Sequence, residues 1–129
     1  MHQFFEKKNI QYKQLKKKCG YAVHREWFEL FAGKLKDGKG KFRAGKYVWE
    51  AFDSGVLPCV SGNKAMLQYR QKIIENYLVV IENGEAVFEC HSDGWPDFSG
   101  MEAIVLPESR SWSMIFSHEG TSYFAQPET

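Results

Sequence analysis

The chain has no apolar run longer than the five residues Tyr77–Ile81, far short of the roughly twenty a membrane-spanning helix needs, so that reading is excluded. Its opening residues, Met1 to Lys8, carry no apolar core followed by small residues, so no secretory signal is expected and a cytoplasmic setting follows. Cysteine is scarce and odd in number: Cys19, Cys59 and Cys90 are spaced as neither a disulfide framework nor a CxxC pair, which predicts reduced thiols. Cys59 and Cys90, set among apolar neighbours, read as small buried hydrophobes. Proline and glycine are too few and too scattered for a collagen-like or low-complexity chain. No GxGxxG, GxxxxGK[ST] or GxSxG occurs, and no second His follows His118 at HExxH spacing, so nucleotide-binding, serine-hydrolase and helical zinc-protease chemistry have no starting motif.

What is present suits a single domain over 1–129, with 43% hydrophobic and 16% aromatic residues. The overall charge of +1 conceals a split. About 1–46 carries thirteen Lys and Arg against four acids, a net of +9; from 47 to the end four cations face twelve acids, a net of −8. One-signed surface steers partners of the opposite sign, so each half has a functional reading beside the plain one, in which the halves neutralise each other. Lys13, Lys16, Lys17 and Lys18 are the candidates for phosphate contact, because three of them fall on adjoining turns if the segment is helical. Glu82, Glu85, Glu89, Asp93 and Asp97 are the candidates for a basic protein partner.

Periodicity predicts helices over about His2–Lys18, with Gly20 near a C-cap, and over Val23–Leu35, where Val23, Trp27, Leu30, Phe31 and Lys34 recur at helical spacing. Lys36–Lys41 reads as an exposed loop. Tyr47–Phe52 suits a short helix, and Ser61-Gly62-Asn63 supplies capping chemistry for another over Lys64–Glu75. Strands follow: Tyr77–Glu82 and Glu85–Cys90 around Asn83-Gly84, which favours a two-residue type I′ hairpin, then Met101–Leu106, Ser111–Ser117 and Ser122–Ala125. The turn-rich His91–Gly100 is a connection that packs through Trp95 and Phe98. Helices first and strands later predict an α+β fold, N-terminal helices packed on one face of a four- to five-stranded antiparallel meander.

His118 and Glu119 put an imidazole and an acid together at a strand end, although neighbours on an extended chain point to opposite faces. The pair serves as a functional pair or as a turn-stabilising one. Cys90, His91, Asp93 and His118 could meet at a metal, but no local ligand pair demands it, so no metal or other cofactor is assigned.

Three segments together, Trp27–Ala32, Tyr47–Phe52 with Leu57–Gly62, and Trp112–Glu119 with Tyr123-Phe124, resemble a family of small uncharacterised bacterial proteins ending in a Trp, His-Glu, Tyr-Phe pattern. The resemblance implies a small stand-alone bacterial cytosolic protein and marks Trp49, Trp112, His118 and Glu119. Such proteins often act by binding, as immunity proteins cover a toxin's cationic site, an argument by analogy. The expectation is therefore a non-enzymatic, immunity- or inhibitor-like protein that covers a basic partner such as a toxin. The alternatives are a nucleic-acid-binding or regulatory module on the lysine-rich segment and a small metal protein or enzyme around His118, Glu119 and His91.

Overall fold

A computed structural model describes residues 1–33, 49–53 and 57–127. The loop expected at Lys36–Lys41, the end of the helix expected to reach Leu35, and Tyr47 and Val48 of the short helix lie outside them. The elements run α1 (His2–Lys7), β1 (Gln11–Gln14), α2 (Lys17–Phe31), α3 (Trp49–Asp53), β2 (Val60–Ser61), α4 (Asn63–Gln71), β3 (Tyr77–Ile81), β4 (Ala86–His91), β5 (Ala103–Pro107), β6 (Ser113–Phe116) and β7 (Ser122–Ala125). The fold is α+β, as expected. Among the described residues its sheet holds seven antiparallel strands in the order β1-β4-β3-β5-β6-β7-β2, more than the four or five expected.

The two extra strands come from segments whose pairing partners lie far along the chain. Gln11–Gln14 was expected inside a helix, but Asn9 turns the backbone with φ 57° and the next residues pair with β4, Gln11 opposite His91 and Gln14 opposite Phe88. Tyr12 stacks on Phe5 of α1 at 4.9 Å, so the short helix and the edge strand share an aromatic contact. Val60 and Ser61 add the opposite edge against β7. The sheet is not a simple meander either. After the β3–β4 hairpin the chain returns to pair β5 with the far side of β3, and only β5, β6 and β7 follow as neighbours. The connection between β4 and β5 packs as expected, with Phe98 fully buried and Trp95 donating its indole N–H to the Lys72 carbonyl at 2.8 Å.

Both faces of the sheet are buried. Alternation sends Leu78, Val80, Val87, Ile104, Leu106 and Ile115 into one core with Trp27, Phe28 and Phe31 of α2 and Trp49 and Phe52 of α3. Tyr77, Val79, Phe88, Val105, Met114 and Phe116 enter a second core with Phe5 of α1 and Tyr69 of α4. Helical residues thus contribute to both cores, where one covered face was expected. Trp112, Met114 and Phe116 do share a core, in keeping with their alternation.

Gly20 does not cap a helix. It lies inside α2, where a Cβ would stand 3.2 Å from Cγ2 of Val87, so its missing side chain lets the helix lie close to β4. The hairpin turn also departs from type I′: β3 and β4 pair up to Ile81 opposite Ala86, and the intervening Glu82–Gly84 form a 3-10 turn with φ 46° at Glu82 and 92° at Gly84. His24 of α2 rests on Gly84, which ties helix and hairpin together. At α4 the N-cap is Gly62, and no side chain among the described residues caps the helix.

Candidate functional site

The end of β3 and the starts of β4 and β5 lie side by side with the end of β6, because each neighbouring pair is antiparallel. Glu82, Glu85, Glu102, His118 and Glu119 follow or precede these strand ends, so five chemistry-bearing residues from three connections gather at one end of the sheet. The Glu82 N–H donates to the Glu102 carbonyl at 2.9 Å, joining the hairpin turn to the β5 strand.

Glu102 is the hub. Its Oε1 accepts the indole N–H of Trp49 at 2.9 Å and the backbone N–H of His118 at 2.8 Å, and it also binds Nδ1 of the His118 ring. Facing a carboxylate, Nδ1 is the donor in this contact. Nε2 stands 4.0 Å from Oε1 of Glu119. The Trp49 ring meets the imidazole edge-on, with centroids 5.8 Å apart. The Glu102 side chain is only 12% exposed and His118 43%, so a mostly buried carboxylate holds a half-exposed imidazole in a fixed orientation. Chemically, the arrangement can present an oriented hydrogen-bonding group, or move a proton at Nε2.

Around this hub stand the hairpin acids. Glu82 and Glu85 are both exposed. The Glu82 carboxyl is held above its ordinary value first by a hydrogen bond with Glu85, then by the charge of Glu85, by partial burial and last by the charge of Glu102. On the neighbouring α3, Asp53 accepts a hydrogen bond from the Tyr123 hydroxyl at 3.0 Å, and burial with the Asp53 partner raises the phenol.

The five acids singled out from the sequence fall in three places. Glu82 and Glu85 occupy the hairpin turn. Glu89 is further along β4, the register partner of Lys13. Asp93 and Asp97 are exposed on the β4–β5 connection, where Asp97 lies 3.9 Å from Arg70 and accepts the Ser99 N–H at 2.8 Å. His118 and Glu119 are adjacent to the first group, and Trp49 joins them. Trp112 is buried in the second core against Phe124.

The lysines also separate. Lys13 is in a strand, whereas Lys16 is the N-cap and Lys17 and Lys18 the first turn of α2, all exposed. His91 ends β4 at the opposite end of the sheet from His118, with Nδ1 2.7 Å from the Asn76 Oδ1. Among the described residues no three His, Cys, Asp or Glu side chains gather as a metal ion would require. Burial pushes the Cys90 thiol up to about 12 and also raises Cys59, while Cys19 is exposed. Sequence reasoning missed Glu102, since one acid ahead of an apolar strand carries no local signal. No helix of the described residues is long and apolar enough to cross a membrane.

Comparison with known protein families, curated protein sequences and solved structures gives no match to this chain.

Proposed function

We propose that this protein acts by binding a basic protein through the acidic end of its sheet, in the manner of an immunity- or inhibitor-like protein that covers a cationic site. The observation that carries the reading is the placing of the exposed Glu82, Glu85 and Glu119 at one end of the sheet, with the hairpin turn braced by His24 of α2. Like charges held together on a rigid turn destabilise the free protein slightly and are relieved when a partner's cations arrive, which speeds association and selects partner sign. His118, fixed by Glu102, supplies a directional hydrogen bond beside the acids. A small bacterial cytosolic protein of the kind its sequence resembles suits this role, and free cysteines agree with a reducing compartment.

The test is parallel capture from lysate of the source cell with the wild type and with the double variant E82K/E85K, after nuclease treatment and at two salt concentrations. One basic protein retained by the wild type and depleted about tenfold or more with the variant supports the reading. Equal capture by both proteins at both salts removes this surface from consideration.

A second reading rests on a different observation. Lys16, Lys17 and Lys18 cluster at the N-terminus of α2, whose first turn holds no acid, so cations sit at the positive end of the helix dipole. An anion there would relieve them, and nucleic-acid phosphates are the fitting class. A mobility shift with RNA or DNA at low salt, lost in K16E/K17E/K18E, supports it; no shift ends it.

A further inference from the structure

We infer that the cleft between β1, β4, the middle of α2 and the β5–β6 turn binds a small zwitterion with an apolar side chain, a free amino acid or a dipeptide. The cleft has a volume of about 570 Å³, within the range of ordinary small-molecule sites and too small for a folded partner. It lies at the other end of the sheet from Glu82 and Glu85 and does not depend on the partner-binding reading.

The alternation of β4 creates it. Val87, Glu89 and His91 point to the α2 side of the sheet, and α2 covers only the first of them, through Gly20. Past the helix, the cleft reaches the edge of the core at the buried Leu78, with the half-buried Leu15 and Val23 as further apolar lining. That floor suits an aliphatic or aromatic side chain.

The charges at the rim come in both signs. Lys13 and Glu89 are register partners on β1 and β4, both exposed, yet among the described residues no ion pair within 4.0 Å joins them. A second cation comes from Arg110, whose backbone takes φ 58° in a turn closed by its N–H to the Pro107 carbonyl at 2.9 Å. A non-glycine residue in this region costs conformational energy, and its guanidinium is ion-paired with Glu26 of α2 at 3.2 Å and donates to the Glu108 carbonyl at 3.2 Å. A ligand carboxylate can meet Lys13 while a ligand ammonium meets Glu89 beside it on the neighbouring strand. A ligand of one sign would leave one side of the rim unsatisfied, which selects the zwitterion.

The probes are L-leucine and L-leucyl-L-leucine, compared with N-acetyl-L-leucine and L-leucinamide, each capped at one charge. Binding to the full chain is followed by amide chemical shifts in NMR and by calorimetry. Saturable binding of a zwitterion, with shifts at Leu78, Glu89 and Arg110, and affinity about tenfold lower for each capped probe, is the expected result. Lys13→Gln and Glu89→Gln, both at exposed positions, should each weaken it by a similar factor with unchanged circular dichroism. Glu82→Lys should not. No saturation by either zwitterion up to about 10 mM, or equal binding of the capped probes, overturns the proposal.

Discussion

Oε1 of Glu102 holds the ring of His118 and its backbone N–H at the same time, with the Trp49 indole as a third donor to the same oxygen. Three elements, α3, the start of β5 and the end of β6, are therefore joined through one mostly buried carboxylate. Glu102→Ala removes the acceptor from all three donors and should cost about 2–4 kcal/mol, read by urea denaturation. Glu102→Gln keeps an acceptor oxygen without the charge and should cost less than half as much. If both variants match the wild type in midpoint and slope, the hub contributes nothing to the fold.

A second long-range bond lies deeper. Trp27, fully buried, donates its indole N–H to Ser113 Oγ at 2.8 Å, and that hydroxyl donates onward to the Val105 carbonyl at 2.9 Å. Ser113→Ala strands the Trp27 N–H in the core and should destabilise by about 1–3 kcal/mol. Ser113→Cys, which keeps a weak acceptor, should lose less, and thermal unfolding of the pair separates the lost bond from the lost volume.

The way Ser113 faces a core explains what the sequence did and did not disclose. The runs Tyr77–Ile81 and Ala103–Leu106 are apolar at every position, which is the pattern of strands covered on both faces. The order of elements, helices before strands, predicts a sheet covered on one face, and the fully apolar runs show why both are covered. The pairing of β3 with β4, the following strands and the short helices near Trp49 and Lys64 were legible because their signals are local, while the turn expected as type I′ is a 3-10 turn instead. β1 was not, because Gln11–Gln14 becomes a strand through pairing with β4 some seventy-five residues later, and no local propensity encodes that. At the candidate site His118, Glu119, Glu82 and Glu85 were visible as residue types near turns. Their gathering around Glu102 depends on strand order, which single-chain periodicity does not carry.

The hairpin turn is held from above by a steric fit. A Cβ on Gly84 would lie 2.5 Å from Nδ1 of His24, and the backbone there has φ 92°. Gly84→Ala should therefore cost about 2 kcal/mol or more, part backbone strain and part overlap. Adding His24→Ala removes the overlap alone, so the double variant should lose less than the sum of the two single changes. Strict additivity in a double-mutant cycle would show that the two residues do not touch.

His24 also sets a pH dependence. Its Nε2 is buried with no hydrogen-bond partner among the described residues, and burial holds the imidazole pKa below its ordinary value of 6.5. As pH falls below that value the unfolded chain takes up a proton that the folded chain refuses, so stability rises with pH across this window and is lost on acidification. His24→Phe, which keeps a ring and removes the titration, should flatten the dependence between about pH 5 and 7 relative to the wild type. An unchanged slope in denaturation midpoints would mean that other groups govern it.

At the hairpin acids the sign is opposite. Glu82 is raised above its ordinary 4.5 by Glu85 first and Glu102 last, so the folded chain holds this proton more tightly than the unfolded one. Its contribution is full below 4.5 and is lost as pH rises through the folded value, which leaves the protein slightly strained at neutral pH. Glu82→Gln should relieve that strain by no more than a few tenths of a kcal/mol, since both hairpin carboxylates are exposed and water screens them. The gain should shrink in high salt and vanish at acid pH, where the wild-type carboxyl is already neutral. Under the partner-binding reading the same change slows association with the basic partner. A variant that is more stable alone and binds more slowly is thus the joint outcome that ties the repulsion at this turn to recognition.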